Sequence, residues 1–155
     1  MNDLNTFKKI FSWYRALSIA LIKEMPEDML NEQISDRSLP VRCQVIDLGL
    51  MQLITAEKMG ASITKPEKPD DETASKEEII NYLNQTHEIV LNGLAELDPS
   101  TVELDWFGRM HFSYEEALAF MLSHEAMHHG EILSFIFAKN LPMPQAFKDT
   151  WGFER

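Results

Sequence analysis

Two histidines in the C-terminal third of the chain have the spacing of a metal-binding pair. His124 and His128 lie four residues apart, and Glu131 follows about one helical turn later. On an α-helix, side chains at this spacing share one face and lie about 6 Å apart along the axis. Two imidazoles in this arrangement can bind one transition-metal ion, and the carboxylate on the same face could approach it as well. The segment therefore predicts a large part of a metal centre.

The same helical face is otherwise apolar, which predicts that the pair points into the protein. At about 100° per residue, one narrow sector contains Ala117, Met121, His124, His128, Glu131 and Phe135. Burying two imidazoles and a carboxylate without partners costs free energy, whereas a divalent ion would accept electron pairs from all three groups. A metal site is therefore favoured over a set of hydrogen-bonded core histidines.

The sequence leaves the remaining ligand open. A metal site needs more than two protein ligands, so another helix must contribute. Gln44 and Asp47 lie at the edge of the apolar stripe of the second predicted helix, and Asp47 is chemically the better ligand. His87, on the third predicted helix, is the commoner ligand type, but we interpret it as a core residue paired with a carboxylate.

Three other residues with reactive side chains are not assigned to this site. His111 lies in a connection and is expected to be exposed. His129 points away from the apolar face, which predicts a local polar contact. Cys43 is the single cysteine, so an intrachain disulfide is excluded, and we expect it to be a small buried core residue.

An alternative chemistry comes from the glutamate between the two histidines. The run from His124 to His128 fits the His-Glu-x-x-His pattern of zinc proteases, in which the glutamate, here Glu125, is the general base. The short remainder of the chain leaves little room for a downstream ligand helix, so a protease is disfavoured. A smaller metal-dependent hydrolase with Glu125 as its base stays open, and Glu125 or Glu131 could assist proton transfer.

Apolar periodicity predicts four helices in a single domain, residues 1–155. The expected helices run from Asp3 to Glu24, from an N-cap at Ser38 to about Met59, from a capping box at Ser75 to about Leu97, and from a capping box at Ser113 to about Lys139. Three aromatic residues, Phe147, Trp151 and Phe153, predict that the tail packs back on these helices. No strand pattern is visible, so the expected fold is an all-α four-helix bundle.

Composition excludes several classes of partner. The formal net charge is −11, which disfavours binding to nucleic acid or to anionic membranes. The longest apolar stretch, Ala16 to Ile22, is too short to span a bilayer. The polar start of the chain has no apolar signal region, so we expect a cytoplasmic protein.

The sequence resembles the DinB/YfiT-like family through most of its length. The resemblance is strongest over Tyr114 to Phe153, where the run from His124 to Ile132 is followed by Leu-Pro-Met-Pro. The family typically has His-x-x-x-His-Arg-Gly-Gln here, and this chain has His129 in the arginine position and Glu131 in the glutamine position. The resemblance implies a DinB-like four-helix bundle, often a homodimer.

The resemblance also implies a metal site, commonly nickel or zinc, with three histidine ligands. Two of them correspond to His124 and His128. The third belongs to a His-x-x-Asp pattern on the second helix, which Gln44-Val45-Ile46-Asp47 matches with glutamine in the ligand position. Gln44 is thus the third ligand that the resemblance implies, with Asp47 as the alternative.

Part of the family transfers low-molecular-weight thiols, so the resemblance favours a metal-dependent transferase that joins such a thiol to small electrophilic molecules. Two alternatives remain at this stage. One is the hydrolase that uses Glu125, and the other is a non-catalytic dimeric binding or stress-response module with a degenerate metal site.

Overall fold

A computed structural model describes residues 4–152 of the chain. Its elements, in chain order, are α1 (Leu4–Glu24), α2 (Val41–Lys58), α3 (Lys76–Ala95), β1 (Glu103–Trp106), β2 (Met110–Ser113), α4 (Tyr114–Ala138) and α5 (Gln145–Trp151). The four long helices form the predicted bundle around one apolar core, which confirms the mostly α-helical fold. Asp3, the predicted start of the first helix, lies outside the described residues.

Local sequence explains where the helices begin and how closely they pack. Ser75 and Ser113 each cap a helix through a reciprocal capping box with the glutamate three residues later, as predicted. Gly49 allows α2 to approach α3, because a Cβ atom at this position would lie 2.6 Å from the ring of Tyr82. This close contact fixes the position of the helix that carries Asp47.

The predicted N-cap at Ser38 is wrong. Pro40 is the N-cap residue of α2 and makes no side-chain cap. The Ser38 hydroxyl instead donates to the carbonyl of Ser35 and accepts from its amide. The serine therefore stabilises a turn that precedes the helix and does not cap the helix. Serine side chains commonly form such local hydrogen bonds with the backbone.

The expectation of no strands is also wrong, because an antiparallel hairpin precedes α4. Its turn contains Phe107 and Gly108, both with positive φ, which is usual for tight hairpin turns. Leu104 is fully buried, and the rings of Trp106 and Phe112 pack on Phe120 of α4 at 4.8 and 5.4 Å. The hairpin thus covers the N-terminal half of the helix that carries the histidine pair.

The C-terminal tail packs back on the bundle, as predicted. Phe147 of α5 is 1% exposed, and the Trp151 ring lies 5.6 Å from that of Trp13 on α1. The amide of Gln145 donates to the Glu24 carboxylate at 2.9 Å, which ties the start of α5 to the end of α1. Phe153, the third aromatic residue of the predicted tail, lies outside the described residues.

Among residues 4–152, none of the helices combines the length and the apolar character that a membrane crossing requires.

Candidate metal centre

One carboxylate and two imidazoles converge between α2 and α4. Oδ2 of Asp47 lies 3.3 Å from Nε2 of His124 and 3.3 Å from Nε2 of His128. The two imidazole rings are 4.7 Å apart and nearly perpendicular. The three ligand atoms all lie within 4.8 Å of one another. This triad is the described cluster that best matches the metal site predicted from the sequence.

The spacing of the triad fits a small divalent ion. Tetrahedral coordination with bonds of about 2.1 Å places neighbouring ligand atoms about 3.4 Å apart. Each distance from Oδ2 to an imidazole nitrogen is 3.3 Å, close to that edge, and the contact with His128 is also a long hydrogen bond. Two imidazoles and one carboxylate are a donor set that zinc and nickel accept, and three protein ligands would leave a position open for a small molecule.

Electrostatics keep the carboxylate of Asp47 ionised, as a ligand must be. Its partial burial opposes ionisation, but the hydrogen bonds and charges of His124 and His128 outweigh this effect and hold the pKa of Asp47 well below its usual value. Nδ1 of His124 is buried and has no hydrogen-bond partner among the described residues. Nδ1 of His128 is likewise buried without a hydrogen-bond partner among the described residues, so the triad combines a negative carboxylate with two imidazoles whose outer nitrogens make no hydrogen bond.

Gln44 lies one turn before Asp47 and has a different orientation. Its side-chain amide donates to the carbonyl of Leu39 at 2.8 Å, so the Nε2 end is held by the loop before α2. Its Oε1 atom is buried and has no hydrogen-bond partner within residues 4–152. Asp47, not Gln44, is the residue of α2 whose contact with both histidines is observed, while the role of Gln44 as a ligand stays a prediction.

Glu131 approaches the outer nitrogen of His128 rather than the nitrogen that faces Asp47. Its Oε2 lies 3.0 Å from Nδ1, although the two atoms are not aligned for a hydrogen bond. The carboxylate side chain is half exposed, so a small rotation would align it. Metal-binding histidines commonly donate their other N–H to such a carboxylate, which fixes the tautomer and the ring orientation. The observed position thus suits an orienting partner of His128.

Glu125 lies in a separate buried network and not in the triad. Its carboxylate accepts from the Ser18 hydroxyl at 2.6 Å and from the Gln52 amide, and it lies 3.5 Å from the Arg15 guanidinium. Arg15 also donates to the Gln52 carbonyl, and Glu125 is fully buried. Burial lowers the pKa of Arg15, and the charge of Glu125 opposes this effect. Both carboxylate oxygens are thus occupied by partners from α1 and α2, which suits a structural role better than that of a general base.

Sequence reasoning did not find this network. Its partners on the first two helices, Arg15, Ser18 and Gln52, are each at most 2% exposed. These polar residues lie within apolar helical stretches, and this position could have indicated a buried network, because buried polar groups require partners. Spacing alone does not show which helix supplies the partner.

The remaining predicted residues have distinct environments. His87 makes a hydrogen bond with the Ser12 hydroxyl at 3.1 Å and lies 4.7 Å from the Phe11 ring, so the predicted carboxylate partner is wrong. Burial lowers the pKa of His87, which favours a neutral imidazole. His111 is exposed, as predicted.

The other two predictions outside the site are corrected in part. His129 is buried and contacts the Ser18 hydroxyl of α1 at 2.8 Å, so its polar partner comes from another helix rather than from a nearby residue. Cys43 is only half-buried, because it lines a cavity instead of the core.

That cavity, of about 200 Å³, adjoins the triad. Asp47 forms part of its wall, together with Cys43, Leu50, Lys68 and Asp71. The Cys43 thiol donates to the carbonyl of Asp71 at 3.6 Å, and burial and the Asp71 charge raise its pKa. The cavity therefore reaches one member of the triad, Asp47, and the cysteine in its wall stays a thiol.

The family comparison agrees with this architecture. A family model described as the DinB superfamily matches residues 10–132, a span that includes Asp47, His124 and His128. The chain belongs to the DinB superfamily. A comparison with curated proteins gives no match. In this DinB protein, the helical bundle and the pair of histidines agree with the family. The residue of α2 that contacts both histidines is an aspartate.

Proposed function

We propose that this DinB protein binds a divalent ion, zinc or nickel, through His124, His128 and Asp47, and that it transfers a low-molecular-weight thiol to small electrophilic molecules. The observation that carries the proposal is the position of Asp47 Oδ2, 3.3 Å from Nε2 of both histidines.

A bound divalent ion would supply Lewis acidity, which lowers the pKa of a coordinated thiol and stabilises its thiolate. The protein would contribute the position and charge of Asp47, while Glu131 would orient the ring of His128. The cavity beside Asp47 would hold the electrophile; the charge of Lys68 in its wall is already paired with that of Asp71. The thiol would give its proton to solvent, its sulfur would bond to the electrophilic carbon, and the leaving group would depart with its electron pair as an anion.

The half-buried Cys43 supports an external thiol over a protein nucleophile. Its raised pKa keeps it protonated, and nucleophilic attack requires a thiolate. Glu125 is fully buried in its own network with both oxygens engaged, which disfavours the hydrolase alternative.

The transferase proposal can be tested with untagged protein, loaded with zinc or nickel or stripped with a chelator. Free thiol is followed while glutathione, cysteine or coenzyme A reacts with 1-chloro-2,4-dinitrobenzene. We expect a metal-dependent rate above that of the thiol alone. Asp47→Ala should remove this rate, and Ser123→Ala, a change of an exposed residue on α4, should retain it. A rate that is unchanged without metal, or no rate with any of these thiols, would contradict the transferase proposal.

Homodimer formation and a cytoplasmic location stay predictions. Trp13 on α1 is 39% exposed and lies beside the exposed ring of Trp151, and this pair of aromatic rings supports a subunit contact along α1. Sedimentation equilibrium of the wild type and of Trp13→Ser tests the dimer. A monomer at micromolar concentration would contradict it.

A further inference from the structure

A second cavity, of about 290 Å³, lies apart from the metal ligands. Its walls come from three helices: Tyr14 of α1, His129, Gly130 and Leu133 of α4, and Phe147 and Trp151 of α5. The volume is at the lower end of that of small-molecule sites, about 300 Å³ and above. Apart from one imidazole, one phenol group and the indole N–H of Trp151, the side chains that form this wall are apolar.

The hydrogen bonds of His129 leave one of its nitrogens available. The Ser18 hydroxyl has one proton and two acceptors in reach, the Glu125 carboxylate at 2.6 Å and the Tyr14 carbonyl at 3.2 Å, and each of them takes the proton away from His129. Nε2 of His129, 2.8 Å from the same hydroxyl oxygen, must then carry a proton and donate. In a neutral imidazole, Nδ1 is left as an acceptor. Within residues 4–152, His129 has this one side-chain hydrogen bond, although it is 5% exposed.

The surroundings of this imidazole are aromatic. Its ring centre lies 5.6 Å from that of Tyr14 and 5.5 Å from that of Phe147, the latter in an edge-on arrangement. Trp151 is 53% exposed at the rim, although its ring packs in a tilted arrangement against that of Trp13. Aromatic rings at such distances favour a further ring in an offset or edge-on position.

Gly130 keeps the cavity open. It lies inside α4, where glycine is less stable than alanine by about 1 kcal/mol. A Cβ atom at this position would meet no atom within 4 Å, so close packing in the described part of the chain does not require the glycine. A larger side chain here would project into the cavity, which gives the glycine a role once the space is used by a ligand.

We propose that this cavity binds a small aromatic molecule that carries one O–H or N–H donor, with the ring among Tyr14, Phe147 and Trp151 and the donor on Nδ1 of His129. This site is separate from the metal centre and does not depend on the proposed transferase activity. The hydrogen bond supplies the polar contact that an otherwise apolar pocket uses to orient its ligand.

Three probes separate the two parts of the proposal. Phenol has both a ring and a donor, anisole has the ring without the donor, and cyclohexanol has the donor without aromaticity. Binding is measured by ¹⁵N NMR of the whole chain, with the Gly130 amide and the His129 ring nitrogens as reporters. We expect phenol to bind about 3- to 10-fold more tightly than anisole, the range of one net hydrogen bond, and more tightly than cyclohexanol.

Two variants test the location. Gly130→Leu should fill the cavity and abolish phenol binding, and it should fold because leucine is the better helix former. Trp151→Ala, at the exposed rim, should weaken phenol binding by several-fold without altering the core. Met127→Leu is the matched control, since Met127 is exposed on the same helix and does not line the cavity.

Several results would overturn the proposal. One is that the protein binds phenol and anisole with equal affinity, and another is that it binds phenol and cyclohexanol with equal affinity. A third is that Gly130→Leu still binds phenol as tightly as the wild type. A second copy of the chain could also occupy the cavity, and sedimentation equilibrium of the wild type and of Gly130→Leu tests this. If the substitution dissociates a dimer, the cavity is a subunit interface and not a ligand site.

Discussion

Asp47 and His128 come from different helices, α2 and α4, and their ligand atoms, Oδ2 and Nε2, lie 3.3 Å apart. His124 stands at the same distance from the same oxygen. A single carboxylate oxygen shared between two imidazoles is the arrangement that an ion would replace with three coordinate bonds. The predictions below follow from this triad and from the buried network beside it.

The first prediction concerns the residue that completes the triad. Asp47→Asn keeps the shape of the side chain but removes its charge, so we expect zinc affinity to fall at least tenfold. Gln44→Met removes the amide of the neighbouring candidate and should change affinity by much less. Competition titration with a chromophoric zinc chelator measures both. If zinc affinity falls further in Gln44→Met than in Asp47→Asn, Gln44 and not Asp47 is the third ligand.

Glu131 should act as a partner of His128 rather than as a ligand. Removing such an outer carboxylate typically costs about 10- to 100-fold in metal affinity. We therefore expect this loss in Glu131→Ala, with the number of bound ions unchanged. Glu88→Ala, at an exposed site on α3, corrects for the change in net charge. If both variants bind zinc equally, the contact between Glu131 and His128 has no role in metal binding.

Glu125→Gln should destabilise the protein strongly. The change leaves the buried Arg15 without a counter-charge, and loss of one partner from a buried pair costs about 3–5 kcal/mol. Urea denaturation of the metal-free protein measures the free energy of unfolding, with Glu88→Gln as an exposed control. A variant of normal stability that has lost only turnover would instead support Glu125 as a catalytic base.

His129 should make stability depend on pH. Burial, opposed by the Glu125 charge, lowers its pKa to about 4 in the folded state, whereas an unfolded histidine titrates near about 6.5. Below about pH 6.5 the unfolded chain binds the proton more readily, so stability falls as the pH drops from 6.5 toward 4. This contribution is on the order of 3 kcal/mol in total.

The measurement compares unfolding free energies of wild type and His129→Gln in a chelator at pH 7, 6, 5 and 4.5. Glutamine can still donate to Ser18, but it does not titrate. The stability advantage of the wild type should therefore shrink steadily across this range. A constant difference between the two proteins would show that His129 does not titrate as its burial indicates.

Local sequence predicted those parts of the site that lie on a single helix. His124 and His128 are four residues apart, and helical geometry alone places them on one face. The choice between Gln44 and Asp47 depends on how α2 is rotated and shifted against α4. Packing such as that at Gly49 sets this register, and spacing along the chain does not encode it.

The same limit explains the errors at other residues. Glu125 fits a protease pattern, yet its partners come from α1 and α2, far away in sequence. The hairpin strands have four residues each, too few for alternation to stand out before a strong helical capping box. Helix identity and boundaries depend on local residues, whereas ligand sets and buried networks depend on tertiary contacts.

The most direct test of the metal centre is an anomalous-scattering experiment on crystals of untagged protein, with data at the zinc and nickel absorption edges. We predict one peak between α2 and α4, about 2.0–2.2 Å from Nε2 of His124, Nε2 of His128 and Oδ2 of Asp47. No peak after incubation with both metals, or a peak bound by the histidines and Gln44 with Asp47 turned away, would contradict the account.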